Sequence, residues 1–129
     1  MAQNLIYSIN GPVVTIKGKT GLSMMEMVHV GNDHLVGEVI RMDEELTTIQ
    51  VYEETSGLAP GEPVTTTGGP LCVTLGPGIL RNIYDGIQRP LPALEKESGP
   101  FIARGCNIPS LDPDAKWDVT VTVRQGDTL

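Results

Sequence analysis

Apolar and polar residues alternate in short runs along the first 75 positions, and turn-forming residues interrupt the runs at close intervals. Over residues 13–17, Val14 and Ile16 face one way and Thr15 and Lys17 the other, the period of two of a half-buried strand. The same reading predicts strands at residues 5–9, 13–17, 24–30, 35–42, 46–52, 64–67 and 71–75. In the last of these Leu71, Val73 and Leu75 share a face. Gly11-Pro12, Gly31-Asn32-Asp33 and Asp43-Glu44-Glu45 have hairpin length, and Ala59-Pro60-Gly61 and Gly68-Gly69-Pro70 bracket the sixth run. Six or seven short strands without a helix predict a mainly β fold with a small closed N-terminal barrel over residues 1–75. Closure removes the edges that an open sheet must protect.

The period changes at Gly76-Pro77-Gly78. Ile79, Leu80, Ile83, Tyr84 and Ile87 then fall on one face of a short helix, with Gly86 inside it. Arg89-Pro90-Leu91-Pro92 cannot continue that helix and closes a linker of residues 76–92. Residues 94–98 suit one more helical turn. Residues 101–117 are irregular. Val119, Val121 and Val123 alternate with Thr120, Thr122 and Arg124 as a strand, and Thr128-Leu129 begins another after a turn. One strand with one started neighbour cannot bury its apolar face. Residues 93–129 therefore read as an incomplete β-rich domain, and the chain as a piece of a longer protein.

Composition changes this picture little. One Trp and one Phe leave the core to Val, Ile, Leu and Met, and Met24, Met25 and Met27 are expected to fill it. The net charge of −7 is uneven: residues 1–75 hold three basic and nine acidic side chains, and residues 76–129 hold six and seven. An acidic first half excludes a nucleic-acid surface, which needs a basic patch. No run of 18 apolar residues predicts membrane insertion, and no basic segment followed by an apolar run marks a leader. Cys72 and Cys106 are expected to be free thiols in a reducing, cytoplasmic setting.

Gly18-Lys19-Thr20 has the end of a phosphate-binding loop but not its beginning. That loop needs a Gly five positions earlier, between a strand and a helix; here the position is Val13, within a strand. His29 and His34 flank a turn, and neither pairs with cysteines at zinc spacing. Asp43, Glu44, Glu45, Glu53 and Glu54 lie in or beside turns and are expected to be solvated. The residues thus offer no catalytic, cofactor-binding or metal-binding set.

Leu75-Gly76-Pro77-Gly78-Ile79-Leu80 followed by Ile83-Tyr84-Asp85-Gly86-Ile87-Gln88-Arg89-Pro90-Leu91 closely resembles the segment after the N-terminal barrel of the catalytic A subunit of V-type and archaeal-type rotary ATPases. Ile9-Asn10-Gly11-Pro12-Val13-Val14 is similar to that family's first barrel hairpin, and Val30-Gly31 with residues 35–41 to its central one. Gln50 to Leu58, and Gly61-Glu62-Pro63-Val64, continue in register. Phe101, Arg104-Gly105, Pro109, Leu111-Asp112 and Trp117 resemble the opening of the inserted bulge domain. Cys106 departs from the pattern, where a branched aliphatic residue is expected.

The resemblance implies a prokaryotic-form parent that couples ATP synthesis or hydrolysis to H+ or Na+ transport, with ATP or ADP and Mg bound beyond this chain. It implies a crown of barrels holding non-catalytic B subunits and catalytic subunits in an alternating hexameric ring, with peripheral-stalk subunits near the bulge. The whole would be cytoplasmic and peripheral to the membrane through the complex. No catalytic residue carries over. What carries over is a structural linker motif: Gly76, Pro77, Gly78, Tyr84, Asp85, Gly86, Gln88, Arg89 and Pro90. Gly76 and Gly78 are expected to permit a tight turn that Pro77 pre-sets, and Asp85, Gln88 and Arg89 to face the nucleotide domain. Two other classes compete: a free-standing ligand- or protein-binding barrel, and a small acid–base or metal enzyme.

Overall fold

A computed structural model describes residues 4–128. Six strands appear in the first 70 residues: β1 (Asn4–Asn10), β2 (Val13–Lys17), β3 (Glu26–Val30), β4 (Leu35–Met42), β5 (Leu46–Val51) and β6 (Pro63–Pro70). All neighbours are antiparallel, in the order β1-β2-β5-β4-β3-β6, and β6 returns to β1 to close a barrel. The closing seam is short, with Asn4 opposite Val64 and Leu5 opposite Pro63. Backbone bonds from Ile6 N–H to the Glu62 carbonyl and from Gly61 N–H to the Ile6 carbonyl extend it.

Alternation decides what fills the barrel. Val14 and Ile16 of β2, Val28 and Val30 of β3, Leu35 and Val39 of β4, and Ile49 and Val51 of β5 are buried, with Ile6, Leu22 and Val64 completing the core. Their partners along each strand face outward. A six-stranded barrel is narrow, so the pleat must bend. The register shifts between Ile6 and Ser8, between Glu26 and Val28, and between Val39 and Arg41 supply those bends. Gly37 is glycine for space: a Cβ there would lie 2.9 Å from Ile49 Cγ2 and 3.0 Å from the Gln50 carbonyl oxygen.

Glu26 is buried in the barrel wall. It accepts hydrogen bonds from the Ser23 N–H at 2.8 Å, from the Gly68 N–H at 3.3 Å and from the Thr66 hydroxyl. Burial pushes its pKa up, but these donors outweigh burial and hold it below the usual carboxylate range. A folded-state pKa below the unfolded one means the unfolded chain binds the proton more readily. Stability is then present above the unfolded carboxylate range and lost as pH falls through it towards the folded value. In urea titrations between about pH 6 and pH 3, the unfolding midpoint is expected to drop more steeply for the parent chain than for Glu26→Gln. Parallel curves would show that Glu26 does not carry the acid response.

Several expectations fail past the barrel. Residues 71–75 form no strand: the chain leaves the sheet at Pro70, the last residue of β6. The helix expected from Ile79 to Ile87 does not form. A single 3-10 turn, Pro77–Ile79, precedes a loop in which Arg81 and Gln88 take positive φ. Leu80 and Ile83, on the supposed apolar face, are 75% and 67% exposed. The helix forms later, as α1 (Leu91–Ser98), where Pro92 sits in the first turn and needs no intrahelical partner. Leu94 is its buried residue, and Gly99 ends it by donating its N–H to the Glu95 carbonyl at 2.8 Å.

Residues 119–123 also form no strand. Val119 and Val121 stay 75% and 76% exposed, with no neighbouring strand among the described residues to pair with. The further strand expected from Thr128-Leu129 runs past the described residues. Met24 and Met25 do not fill the core; they lie in the tight turn before β3 and are exposed, with Met25 at positive φ.

Candidate functional site

The linker motif folds into a loop fastened to the end of the barrel. Its neck is made by the Asp85 N–H donating to the Arg89 carbonyl at 3.1 Å and the Leu91 N–H donating to the Ile83 carbonyl at 2.9 Å, with Tyr84 bridged to Pro90. Asp85 builds the turn. Its Oδ1 accepts the Ile87 N–H at 3.1 Å and the Arg89 N–H at 2.8 Å. These local bonds offer the backbone more than a helical turn would at this point, which accounts for the missing helix. Gly86 sits in that turn with open space around its Cβ position. The Tyr84 hydroxyl reaches back to the Gly78 carbonyl at 3.4 Å.

Gln88 takes the place of a missing strand neighbour. Its side chain is buried and clasps Thr74 from both sides: Oε1 accepts the Thr74 N–H at 2.6 Å, and Nε2 donates to the Thr74 carbonyl at 2.8 Å. The exit tract 71–75 is thereby held without belonging to the sheet.

Gly76 and Gly78 are explained by space rather than by conformation. Gly76 is fully extended, φ −178°, which any residue adopts. A Cβ on Gly76 would lie 2.8 Å from Leu111 Cδ1, and one on Gly78 would lie 3.3 Å from Trp117 Cζ2. Pro77 occupies the first position of the 3-10 turn. The motif glycines therefore seat the later tract, Leu111 and Trp117, against the linker.

At the centre is an ion-pair cluster. Arg89 Nε donates to Asp85 Oδ2 at 2.7 Å, and Arg89 Nη1 donates to Glu53 Oε2 at 2.9 Å. The Arg89 and Glu53 side chains are 12% and 6% exposed. Burial pushes the Asp85 carboxyl up, but the Arg89 and Ile87 amides and the guanidinium beside it hold it below its ordinary range. Burial pushes Arg89 down, and the two carboxylates more than restore its affinity for the proton. Glu53 also accepts the Val36 N–H at 3.2 Å and the Gly105 N–H at 3.0 Å.

The burial of Glu53 corrects the expectation of a solvated turn carboxylate. The signal lies in β5: Thr47, Ile49 and Val51 point inward, so Glu53 continues the inward face past the end of the strand. What the sequence does not show is Arg89, 36 positions away, arriving to neutralise it. Asp85, Gln88 and Arg89 face the barrel end and each other, each already engaged in hydrogen bonds.

Chemistry-bearing groups elsewhere are not assembled. Gly18-Lys19-Thr20 follows the end of β2, and the Gly18 N–H donates to the Glu45 carbonyl at 2.7 Å, so the segment is a turn over β5. His29 and His34 meet edge to face with ring centroids 6.1 Å apart, and Cys72 and Cys106 are free thiols. Among the described residues no group of three His, Cys, Asp or Glu side chains is placed to hold a metal ion. Among the same residues no helix is long and apolar enough to cross a membrane.

Comparison with known proteins agrees with this architecture. Residues 6–68 match the ATP synthase alpha/beta family β-barrel domain. The chain is 51% identical over 129 residues to the V-type ATP synthase alpha chain of Thermoanaerobacter sp., covering all of this chain and 22% of the relative. It is 52% identical over 124 residues to the V-type ATP synthase alpha chain of Halothermothrix orenii, covering 96% of this chain and 21% of the relative. The chain thus spans about a fifth of the length of the relatives it matches. Among solved structures, the assembled ATPase EscN of the enteropathogenic E. coli type III secretion system superposes with a TM-score of 0.62. It shares 23% identity over 68% of this chain and 21% of its own, a likeness of fold. A closed six-stranded barrel at the matched residues, continued by a linker whose similarity to these relatives runs the length of the chain, places this protein in the ATP synthase alpha/beta family.

Proposed function

We propose that this chain is the N-terminal crown barrel, the linker and the first part of the bulge of the catalytic subunit of a V-type or archaeal-type rotary ATPase. The observation that carries the proposal is the 51% identity over all 129 residues to a V-type ATP synthase alpha chain. Residues 1–75, 76–92 and 93–129 are its three parts. The parent binds ATP or ADP with Mg and couples its synthesis or hydrolysis to ion transport, and it does so beyond residue 129. It works as a peripheral part of a membrane complex, in the cytoplasm.

The barrel's task in this reading is to stay rigid. It pairs side by side with the barrels of non-catalytic B subunits, so that one end of an alternating ring is fixed while the nucleotide domains open and close. A closed sheet with short turns suits that task, because it has few soft edges to yield. Arg89 and Gln88 would then hold the linker to the crown, rather than reach towards the nucleotide domain.

In the longer subunit, deleting residues 4–70 is expected to leave Mg-ATP binding in place and to prevent the hexameric ring with B subunits, as read by native mass spectrometry. A ring that assembles without the barrel would overturn the proposal. The chain by itself is expected to give no saturable heat on calorimetric titration with Mg-ATP. Binding abolished by Lys19→Ala would instead place a nucleotide site in the Gly18-Lys19-Thr20 turn.

A further inference from the structure

One oxygen atom serves two separate tracts. Glu53 Oε2 accepts from Arg89 Nη1 at 2.9 Å and from the Gly105 N–H at 3.0 Å. The same Arg89 Nη1 reaches the Cys106 carbonyl at 3.4 Å. The end of the barrel, the 83–91 loop and residues 104–106 therefore meet in a small hydrogen-bonded ring.

Residues 104–106 are fixed on their other side as well. Arg104 Nη2 pairs with Asp33 Oδ2 at 2.9 Å, in the turn between β3 and β4. Arg104 Nη1 lies 3.1 Å from where a Gly57 Cβ would be, so the guanidinium also lies close over the connection between β5 and β6. Gly105 has φ +66°, and a Cβ on it would come within 2.1 Å of the Asp33 carbonyl oxygen. Glycine alone combines that backbone conformation with so close an approach. The tract is held at three successive residues, Arg104 and Gly105 on the barrel and Cys106 on Arg89 of the linker, with no helix or strand to organise it.

We propose that Arg89 and residues 104–106 form a two-armed clasp closing on Glu53, in which release of either arm loosens the other. The coupling follows from the shared atom. Arg89 neutralises a carboxylate that is otherwise almost wholly buried, and a buried charge without its partner turns towards water. Turning takes Oε2 away from the Gly105 N–H. In the other direction, lifting Gly105 and Cys106 away opens the Arg89–Glu53 pair to solvent, where an ion pair is worth far less. Such coupling is reciprocal by thermodynamic necessity.

The clasp deepens the crown reading, on which its use rests. The linker and the tract leading into the bulge are fastened to the rigid barrel at one point, so strain entering by one arm is felt at the other. This makes residues 104–106 a positioning element for whatever follows them.

Amide exchange by NMR on the full chain tests the coupling. In Arg89→Met, the Gly105 amide is expected to exchange at least about tenfold faster, the loss of a charge-assisted hydrogen bond, while core amides of β2 and β5 keep their protection. In a Cys72→Ser background, alkylation of the single remaining thiol, Cys106, is expected to accelerate alongside it. Unchanged exchange at Gly105 and unchanged alkylation in a folded Arg89→Met would overturn the clasp. Should that variant unfold, Gly105→Ala carries the test from the other arm. The Arg89 Nη1 protons, bonded to Glu53, are then expected to exchange about tenfold faster, and an unaltered rate would refute the coupling. Failure here leaves ring assembly by the barrel untouched, and failure of ring assembly leaves these exchange rates as they are.

Discussion

Truncating Glu53 to alanine is expected to cost about 3–5 kcal/mol, the range for leaving one member of a buried ion pair without its partner. The Arg89 and Glu53 side chains are 12% and 6% exposed, so water screens the pair little. Glu53 has further duties: the Val36 and Gly105 amides both lose their acceptor when it goes. Asp85 remains beside Arg89 and recovers part of the loss, which places the outcome towards the lower end of the range. Urea unfolding followed by far-ultraviolet circular dichroism measures the change. A companion Arg89→Met, and the double variant, complete a cycle. The double variant is expected to be less destabilised than the two single changes added together, because each single change already breaks the Arg89–Glu53 pair and only Asp85 is left without its partner. Strict additivity, or a Glu53→Ala effect below about 1 kcal/mol, would show that the cluster is only a surface feature.

Ile49→Ala is expected to cost about 2–5 kcal/mol, the range for emptying a fully buried aliphatic site. Ile49 lies in β5 opposite Val14 of β2 on one side and Val39 of β4 on the other, and all three are wholly buried. Its Cγ2 also packs on the backbone of Gly37. The strands around it are tied into a closed ring and cannot move in to fill the space, so the cavity penalty adds to the lost burial. Ile83→Ala provides the contrast. Ile83 is 67% exposed on the linker, and its loss is expected to change stability by less than about 0.5 kcal/mol. The comparison uses urea midpoints at unchanged slope. Equal effects at the two sites would mean that the barrel core is not the source of stability.

The barrel was legible because its information is local. Alternation at residues 13–17, 35–39 and 46–51 fixes which side chains face inward, and a one-residue slip would turn Val14, Ile16 and Ile49 to solvent. Short polar turns leave the antiparallel hairpins β1–β2, β3–β4 and β4–β5 as the direct way to connect those runs. The motif Gly76 to Pro90 was legible as a distinct segment for a similar reason, since the period of two stops there. Its conformation was not. Ile79, Leu80, Ile83, Tyr84 and Ile87 satisfy a helical pattern, yet a pattern says only which residues would share a face, and Leu80 and Ile83 find nothing to cover them here. The Asp85 carboxylate capturing the Ile87 and Arg89 amides decided the matter instead.

The sequence by itself determined a closed β-barrel with an aliphatic core; that its last strand ends at Pro70, ahead of the break read at Gly76-Pro77-Gly78, came from the fold. Only the tertiary structure decided where the charges went. Glu53 is one of nine acidic residues in the first 75; the register of β5 aims it inward and Glu54 outward, but register alone supplies no counter-charge. The burial of Glu53 depends on Arg89 and Gly105, 36 and 52 positions further on, reaching the same oxygen. Periodicity records the solvent preference of each residue along a single element. The burial of a charge is set by whichever distant group offsets its lost hydration, and that group is known only when the chain has folded.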